Sequence, residues 1–178
     1  VSIECCYAVA QSFEAIEKLF KDLVYEKSSN DGEFFEGIKS AKFPENIRSK
    51  YPGGKKLFTF VRKATKESFR KFSHSNNYKL KFSEFWHLLS EVRHAITHSQ
   101  GIANKKNIFK SLEYEALYNH FFDFTDEPND QIRIVIDYKQ LNAIIKSIAE
   151  FAYQVYKILC ISDGFDYRVK LDINKRSP

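Results

Sequence analysis

Arginine and histidine side chains that can act on a phosphate group occur close together in residues 91–101, EVRHAITHSQG. Cleavage of RNA without a metal needs a base for the 2′-hydroxyl, an acid for the leaving 5′-oxygen and a cation for the charged phosphorane. Imidazole suits both proton transfers near neutral pH, and the guanidinium fork matches the phosphoryl oxygens. Arg93, His94 and His98 therefore form a candidate set for acid–base chemistry on RNA.

Two other interpretations of this stretch stay open. His94 and His98 have the i, i+4 spacing at which two imidazoles can share a zinc ion, and Glu91 with His94 forms half of a di-iron bundle motif. No HExxH motif accompanies them. The remaining interpretation is a solvated polar helix face whose arginine serves the structure alone.

A helical wheel places these side chains on different sides of one helix. At about 100° per residue, His87, His94 and His98 fall in a row opposite the apolar stripe, whereas Arg93 falls at the edge of the stripe beside Trp86. A partly buried arginine there requires a carboxylate, a carbonyl or a phosphate. Arg93 and His98 are about 140° apart around the helix and about 7.5 Å apart along it. One copy does not point both groups at one phosphate unless the helix end unwinds, so the spacing favours two copies about a two-fold axis.

Apolar residues at helical spacing predict the elements that hold this stretch in place. We expect helices over residues 3–27, 55–73, 82–98 and 111–122, and a long last helix that starts after Asp137. Three signals mark helix ends: Ser83 as an N-cap, Gly101 as a C-terminal cap, and Asp137 with Gln140 as a capping box.

One segment alternates as a strand does. QIRIVID, residues 131–137, places Ile132, Ile134 and Ile136 on one side. The preceding TDEPND (125–130) is expected to be a turn, and residues 102–110 a loop or a poor helix. The fold class is therefore all-α: a helical bundle of four to five main helices with a small β-strand or hairpin insert near 131–137. We expect residues 1–160 to form a single domain and 161–178 a polar, basic tail.

Positive charge is concentrated in one part of the chain. The net charge is +5, but residues 48–81 carry eleven Lys and Arg and only one acid, which leaves +10 there and −5 elsewhere. Within the predicted helix 55–73, the basic ridge consists of Lys56, Lys63, Lys66 and Arg70, which fall on one side. Such a ridge favours a polyanionic partner such as RNA, although a solvated helix face gives the same pattern.

Arg93-His94-Ala95-Ile96-Thr97-His98 resembles the R-x4-6-H motif of the HEPN superfamily, in which a polar residue often follows the arginine. The long first and last helices also resemble family members. The resemblance implies a metal-independent endoribonuclease that needs no cofactor and cuts by 2′-hydroxyl attack. It assigns catalysis to Arg93 and His98, with His94 assisting. It further implies a homodimer with a composite active site, and a toxin–antitoxin or phage-defence system with a neutralising antitoxin protein as a possible partner.

The remaining composition sets the cellular context. The three cysteines include the adjacent pair Cys5 and Cys6, an arrangement that suits reduced thiols better than a disulfide framework. No apolar run is long enough for a membrane span, and no signal-peptide pattern is present. We therefore expect a cytoplasmic protein with no membrane partner. The alternative function is a non-catalytic helical protein that binds RNA or nucleotides or acts as a scaffold.

Overall fold

The computed structural model describes residues 2–39, 53–65 and 79–167, and it confirms the predicted fold class. In that part of the chain the helices are α1 (Ser2–Asn30), α2 (Gly32–Lys39), α3 (Gly54–Thr65), α4 (Phe82–Ser99), α5 (Lys105–Ile108), α6 (Leu112–Phe121) and α7 (Tyr138–Ser162). The strands are β1 (Ile102–Asn104), β2 (Asp123–Glu127) and β3 (Gln131–Val135). The second half of the predicted helix 55–73 and most of the basic tail lie outside the described residues.

Aromatic rings from three helices meet Trp86 of α4 at the centre of the core. The ring of Trp86 is fully buried. Its centroid lies 4.7 Å from that of Phe13, 5.4 Å from Phe20, 6.0 Å from Phe58 and 6.1 Å from Phe151. Ring pairs at such distances contribute roughly 0.5–1.5 kcal/mol beyond their burial. They fix α1, α3 and α7 around α4, which carries the candidate motif.

The start of α3 is held by two side chains of the core. The carboxylate of Glu17, which is 9% exposed, accepts a 3.0 Å hydrogen bond from the backbone N–H of Gly54. The indole N–H of Trp86 donates a 2.9 Å bond to the Gly54 carbonyl. Gly54 has a φ of 57°, and a Cβ atom on Gly53 would overlap the Glu17 carboxylate. The left-handed φ favours glycine at position 54, and a larger residue at position 53 would require the Glu17 carboxylate to move.

The β insert is larger than the sequence predicts. It is a three-stranded antiparallel sheet in the order β1-β3-β2. The prediction of a turn over 125–130 is wrong at its start, since β2 continues to Glu127 and only residues 128–130 turn. The prediction of a loop or poor helix over 102–110 missed β1. Neither outer strand has a signal in the sequence, because a half-buried strand is recognised by alternating apolar and polar residues. Strand β2 is exposed along nearly all its length, and β1 has only three residues.

The central strand and the last helix confirm their sequence signals. Ile132, Ile134 and Ile136 are all buried. The capping box of α7 is complete: the Asp137 carboxylate accepts from the Gln140 N–H at 2.6 Å, and the Gln140 side chain accepts from the Asp137 N–H at 2.8 Å.

The predicted N-cap of α4 is wrong. The cap is Lys81, which makes no side-chain capping bond, and Ser83 is the second residue of the helix. Packing sets this start, because Phe82 is buried and stacks on Phe151 at 4.4 Å. No helix in the described ranges is long and apolar enough to cross a membrane.

Candidate active site

Burial of one face of α4 leaves the motif at its surface. Trp86, Leu89, Val92 and Ile96 are buried, as the apolar stripe predicts. The helix ends at Ser99; its C-cap residue Gln100 has the left-handed φ of 53°, and Gly101 follows at φ 80°. The Gly101 N–H donates to the Ala95 carbonyl at 3.0 Å. The predicted stop near Gly101 is confirmed, although Gln100 is the first residue to leave helical geometry.

Arg93 is bound to the first helix by a carboxylate. Its Nη2 lies 3.1 Å from Oε1 of Glu14, and its Nε donates to the same oxygen at 3.2 Å. The Arg93 side chain is 30% exposed and that of Glu14 is 49% exposed. The wheel predicted a partly buried arginine with an acceptor, and this contact confirms it. Glu14 thus holds the guanidinium, and the Arg93 side chain remains partly exposed to solvent.

His94 and His98 form an exposed pair beside Arg93. Their ring centroids are 4.8 Å apart, with the planes inclined at 50°. Both residues are exposed to solvent. Thr97 lies between them in sequence, and its hydroxyl donates a 2.7 Å hydrogen bond to the backbone carbonyl of Arg93. The structure therefore brings together the two imidazoles, while Arg93 points toward α1.

His87 does not join this pair. It is half-buried against the ring of Phe58, with a centroid distance of 6.0 Å. Burial lowers its pKa, and the charges of Lys55 and Lys110 lower it further, against a smaller opposite effect of Glu91. Its Nδ1 has no hydrogen-bond partner within the described part of the structure. His87 therefore belongs to the α3–α4 contact.

The metal interpretation gains no support from the side-chain geometry. The Glu-x-x-His spacing occurs twice on α4, at Glu84–His87 and at Glu91–His94. A di-iron bundle needs such motifs on separate helices that face each other, which two copies on one helix do not provide. Across residues 2–39, 53–65 and 79–167, no three His, Cys, Asp or Glu side chains are grouped so that they could hold a metal ion.

Only half of the basic ridge falls on described residues. Lys56 and Lys63 are exposed on α3, and the Lys63 ammonium donates to the Gly37 carbonyl at 3.0 Å. Lys66 and Arg70 lie outside the described residues. The role of the ridge in RNA binding stays a prediction.

One residue of the site escaped the sequence analysis. Glu14 is separated from Arg93 by 79 positions, and α1 carries several acids on its exposed surface. The requirement of Arg93 for an acceptor was visible in the sequence, but the identity of that acceptor depends on how α1 packs against α4.

Comparison of the chain with protein-family models, curated proteins and solved structures gives no match. The resemblance to the HEPN superfamily therefore rests on the motif from Arg93 to His98 and on its position in the last turns of a central helix.

Proposed function

We propose that the protein is a metal-independent endoribonuclease of HEPN type, active as a homodimer. The observation that carries the proposal is the exposed His94–His98 pair, whose ring centroids lie 4.8 Å apart on the same helix as Arg93, the guanidinium held by Glu14. Two imidazoles and a guanidinium are the groups that cleavage by 2′-hydroxyl attack requires.

The chemistry assigns a role to each side chain. His98 takes the proton of the 2′-hydroxyl as the 2′-oxygen attacks phosphorus, and the bond to the 5′-oxygen breaks. A protonated imidazole then donates a proton to the leaving 5′-oxygen, and His94 assists His98 in these proton transfers. Arg93 stabilises the charge on the phosphoryl oxygens. The products are a 2′,3′-cyclic phosphate and a free 5′-hydroxyl.

A second copy of the chain can bring together the guanidinium and the imidazoles, which point in different directions within one copy. Arg93 contacts α1, whereas His94 and His98 are open to solvent. Two motifs about a two-fold axis place the arginine of one copy opposite the imidazoles of the other. The toxin–antitoxin or phage-defence setting and a neutralising antitoxin are proposals that come from the family resemblance.

Incubation of the purified protein with single-stranded RNA in EDTA tests the proposal. We expect cleavage by the wild type and its loss in Arg93→Ala and in His98→Ala, with circular dichroism spectra unchanged. His120→Ala is the matched control, because His120 is also an exposed histidine in the last turn of a helix. Absence of cleavage by the wild type at micromolar concentration would reject the nuclease.

The alternative is a non-catalytic RNA- or nucleotide-binding or scaffold protein. The exposed Lys56 and Lys63 of α3, together with the local excess of positive charge, favour it. It predicts salt-dependent binding of RNA that Lys56→Ala and Lys63→Ala weaken and that Arg93→Ala leaves unchanged, without cleavage.

A further inference from the structure

A cavity of about 440 Å³ lies beside the candidate active site, between the first turns of α1, the end of α4 and strand β3. Its size is within the range of sites for small ligands. Ile3, Ile96 and Ile134 give it apolar walls, and the ring of Tyr7 adds an aromatic surface. It therefore suits a planar, partly apolar group.

Two residues with polar side chains form part of the wall of the same cavity. Gln100 and Arg133 both line it. The Arg133 guanidinium is fixed by Glu127, whose Oε1 lies 2.7 Å from Nε, and its Nη1 donates to the Gln100 carbonyl at 3.5 Å. The Gln100 side-chain amide offers both a donor and an acceptor. An amide and a cation beside apolar and aromatic walls are features that recognise a nucleobase and its phosphate.

The cavity and the arginine of the motif both lie along the contact between α1 and α4. Ile96 lies within the motif itself, and Gln100 is two turns beyond Arg93, about 10 Å along the axis. On α1, Tyr7 is likewise two turns from Glu14, the partner of Arg93. The cavity and Arg93 therefore lie about two turns apart along the α1–α4 contact, a distance that a short stretch of extended single strand spans.

We propose that this cavity binds a nucleobase of single-stranded RNA next to the phosphate that is cut. Tyr7 stacks on the base, and the Gln100 amide pairs with its polar edge, which is accessible in unpaired RNA. This assignment rests on the proposed nuclease function, and it makes Tyr7 and Gln100 the residues that determine base preference.

Titration with the four 5′-mononucleotides in EDTA, followed by NMR, tests the cavity without any cleavage. We expect one nucleotide to bind more tightly than the others and to shift the signals of Ile96, Gly101 and Ile134. Tyr7→Ala should weaken binding at least about fivefold, as expected for loss of base stacking. Gln100→Asn, which tolerates the left-handed backbone, should reduce the difference between bases.

Tyr153→Ala is the matched control, since Tyr153 is an exposed tyrosine of α7 that does not line the cavity. The proposal would be overturned if Tyr7→Ala and Tyr153→Ala changed nucleotide binding equally, or if the wild type bound no nucleotide.

Mapping of the cut sites in RNA separates this proposal from the nuclease. If the cavity binds a nucleotide but the protein does not cut RNA, the cavity is a nucleotide site and the nuclease function is rejected. If wild type, Tyr7→Ala and Gln100→Asn all cut RNA with the same base preference, the nuclease function would be supported and the cavity would not be the base-binding site. We expect cleavage with a preference that both variants weaken.

Discussion

The guanidinium of Arg93 and the carboxylate of Glu14 join α4 to α1, with Nη2 and Nε at 3.1 Å and 3.2 Å from the same oxygen. Both side chains remain partly exposed, so the contact contributes little to stability, typically up to about 1 kcal/mol. Its main consequence is geometric, because it fixes the direction of a guanidinium on an otherwise solvated surface. Glu14 is in this sense a positioning residue.

Under the proposed nuclease function, Glu14→Ala should lower kcat of RNA cleavage by up to about 100-fold, because a misplaced Arg93 loses its alignment with the phosphate. KM should stay equal or fall, since a carboxylate that competes with the phosphate is gone. Glu14→Gln keeps an acceptor and should retain more activity than Glu14→Ala. Steady-state kinetics that resolve kcat from KM check this.

Glu113→Gln is the control for this prediction. Glu113 pairs with Lys81 at 3.1 Å at the opposite end of α4. Its loss should leave both kinetic constants unchanged. An equal fall of kcat in both variants would mean that Glu14 acts through the fold.

Mixing Arg93→Ala with His98→Ala should restore cleavage if the site is composite. After subunit exchange about half of the dimers are mixed, and each holds one site with both groups, so about a quarter of the wild-type sites return. Each variant alone should be inactive. A mixture that stays inactive, although mass spectrometry detects the mixed dimer, would place both groups of each site in one chain.

Gly53→Ala should destabilise the protein by about 1–3 kcal/mol, the cost of a buried hydrogen-bonding group that loses its partner. The new Cβ atom would displace the Glu17 carboxylate from the Gly54 N–H. Urea unfolding measures the difference in the free energy of unfolding. Gly37→Ala is the control: a Cβ there meets no atom within 4 Å, and alanine inside a helix should stabilise by roughly 0.5–1 kcal/mol.

The stability of the fold should depend on His87 in mildly acidic solution. Its pKa in the folded protein lies below the ordinary value of 6.5, mainly because burial disfavours the charged form. The unfolded chain therefore binds more protons as the pH falls below about 7, and the free energy of unfolding falls with it. Above that range His87 makes no contribution to the pH dependence.

His87→Phe keeps a ring against Phe58 and removes the titrating group. We expect urea unfolding between pH 5 and pH 8 to show a smaller loss of stability toward acid in this variant than in the wild type. Parallel curves for the two proteins would show that protonation of His87 is not coupled to folding.

Local signals in the sequence were sufficient for the long helices α1, α4, α6 and α7, for the described part of α3 and for the central strand. The apolar stripe of α4, the capping box at Asp137 and the alternation of Ile132, Ile134 and Ile136 each depend on neighbours within a few residues. Such patterns reflect backbone geometry directly. The start of α4 was misplaced because the packing of Phe82 on Phe151, not a polar cap, determines it.

Within the candidate site, the sequence by itself determined the motif, the separation of Arg93 from His98 around the helix, and the need of Arg93 for an acceptor. Only the tertiary structure decided that Glu14 is that acceptor, that His87 is packed away from His94 and His98, and that a cavity opens beside Gln100. The physical reason is the distance in sequence over which each interaction acts. Spacing along one helix follows from 3.6 residues per turn, whereas contacts between α1, α4 and β3 follow from how buried faces pack together.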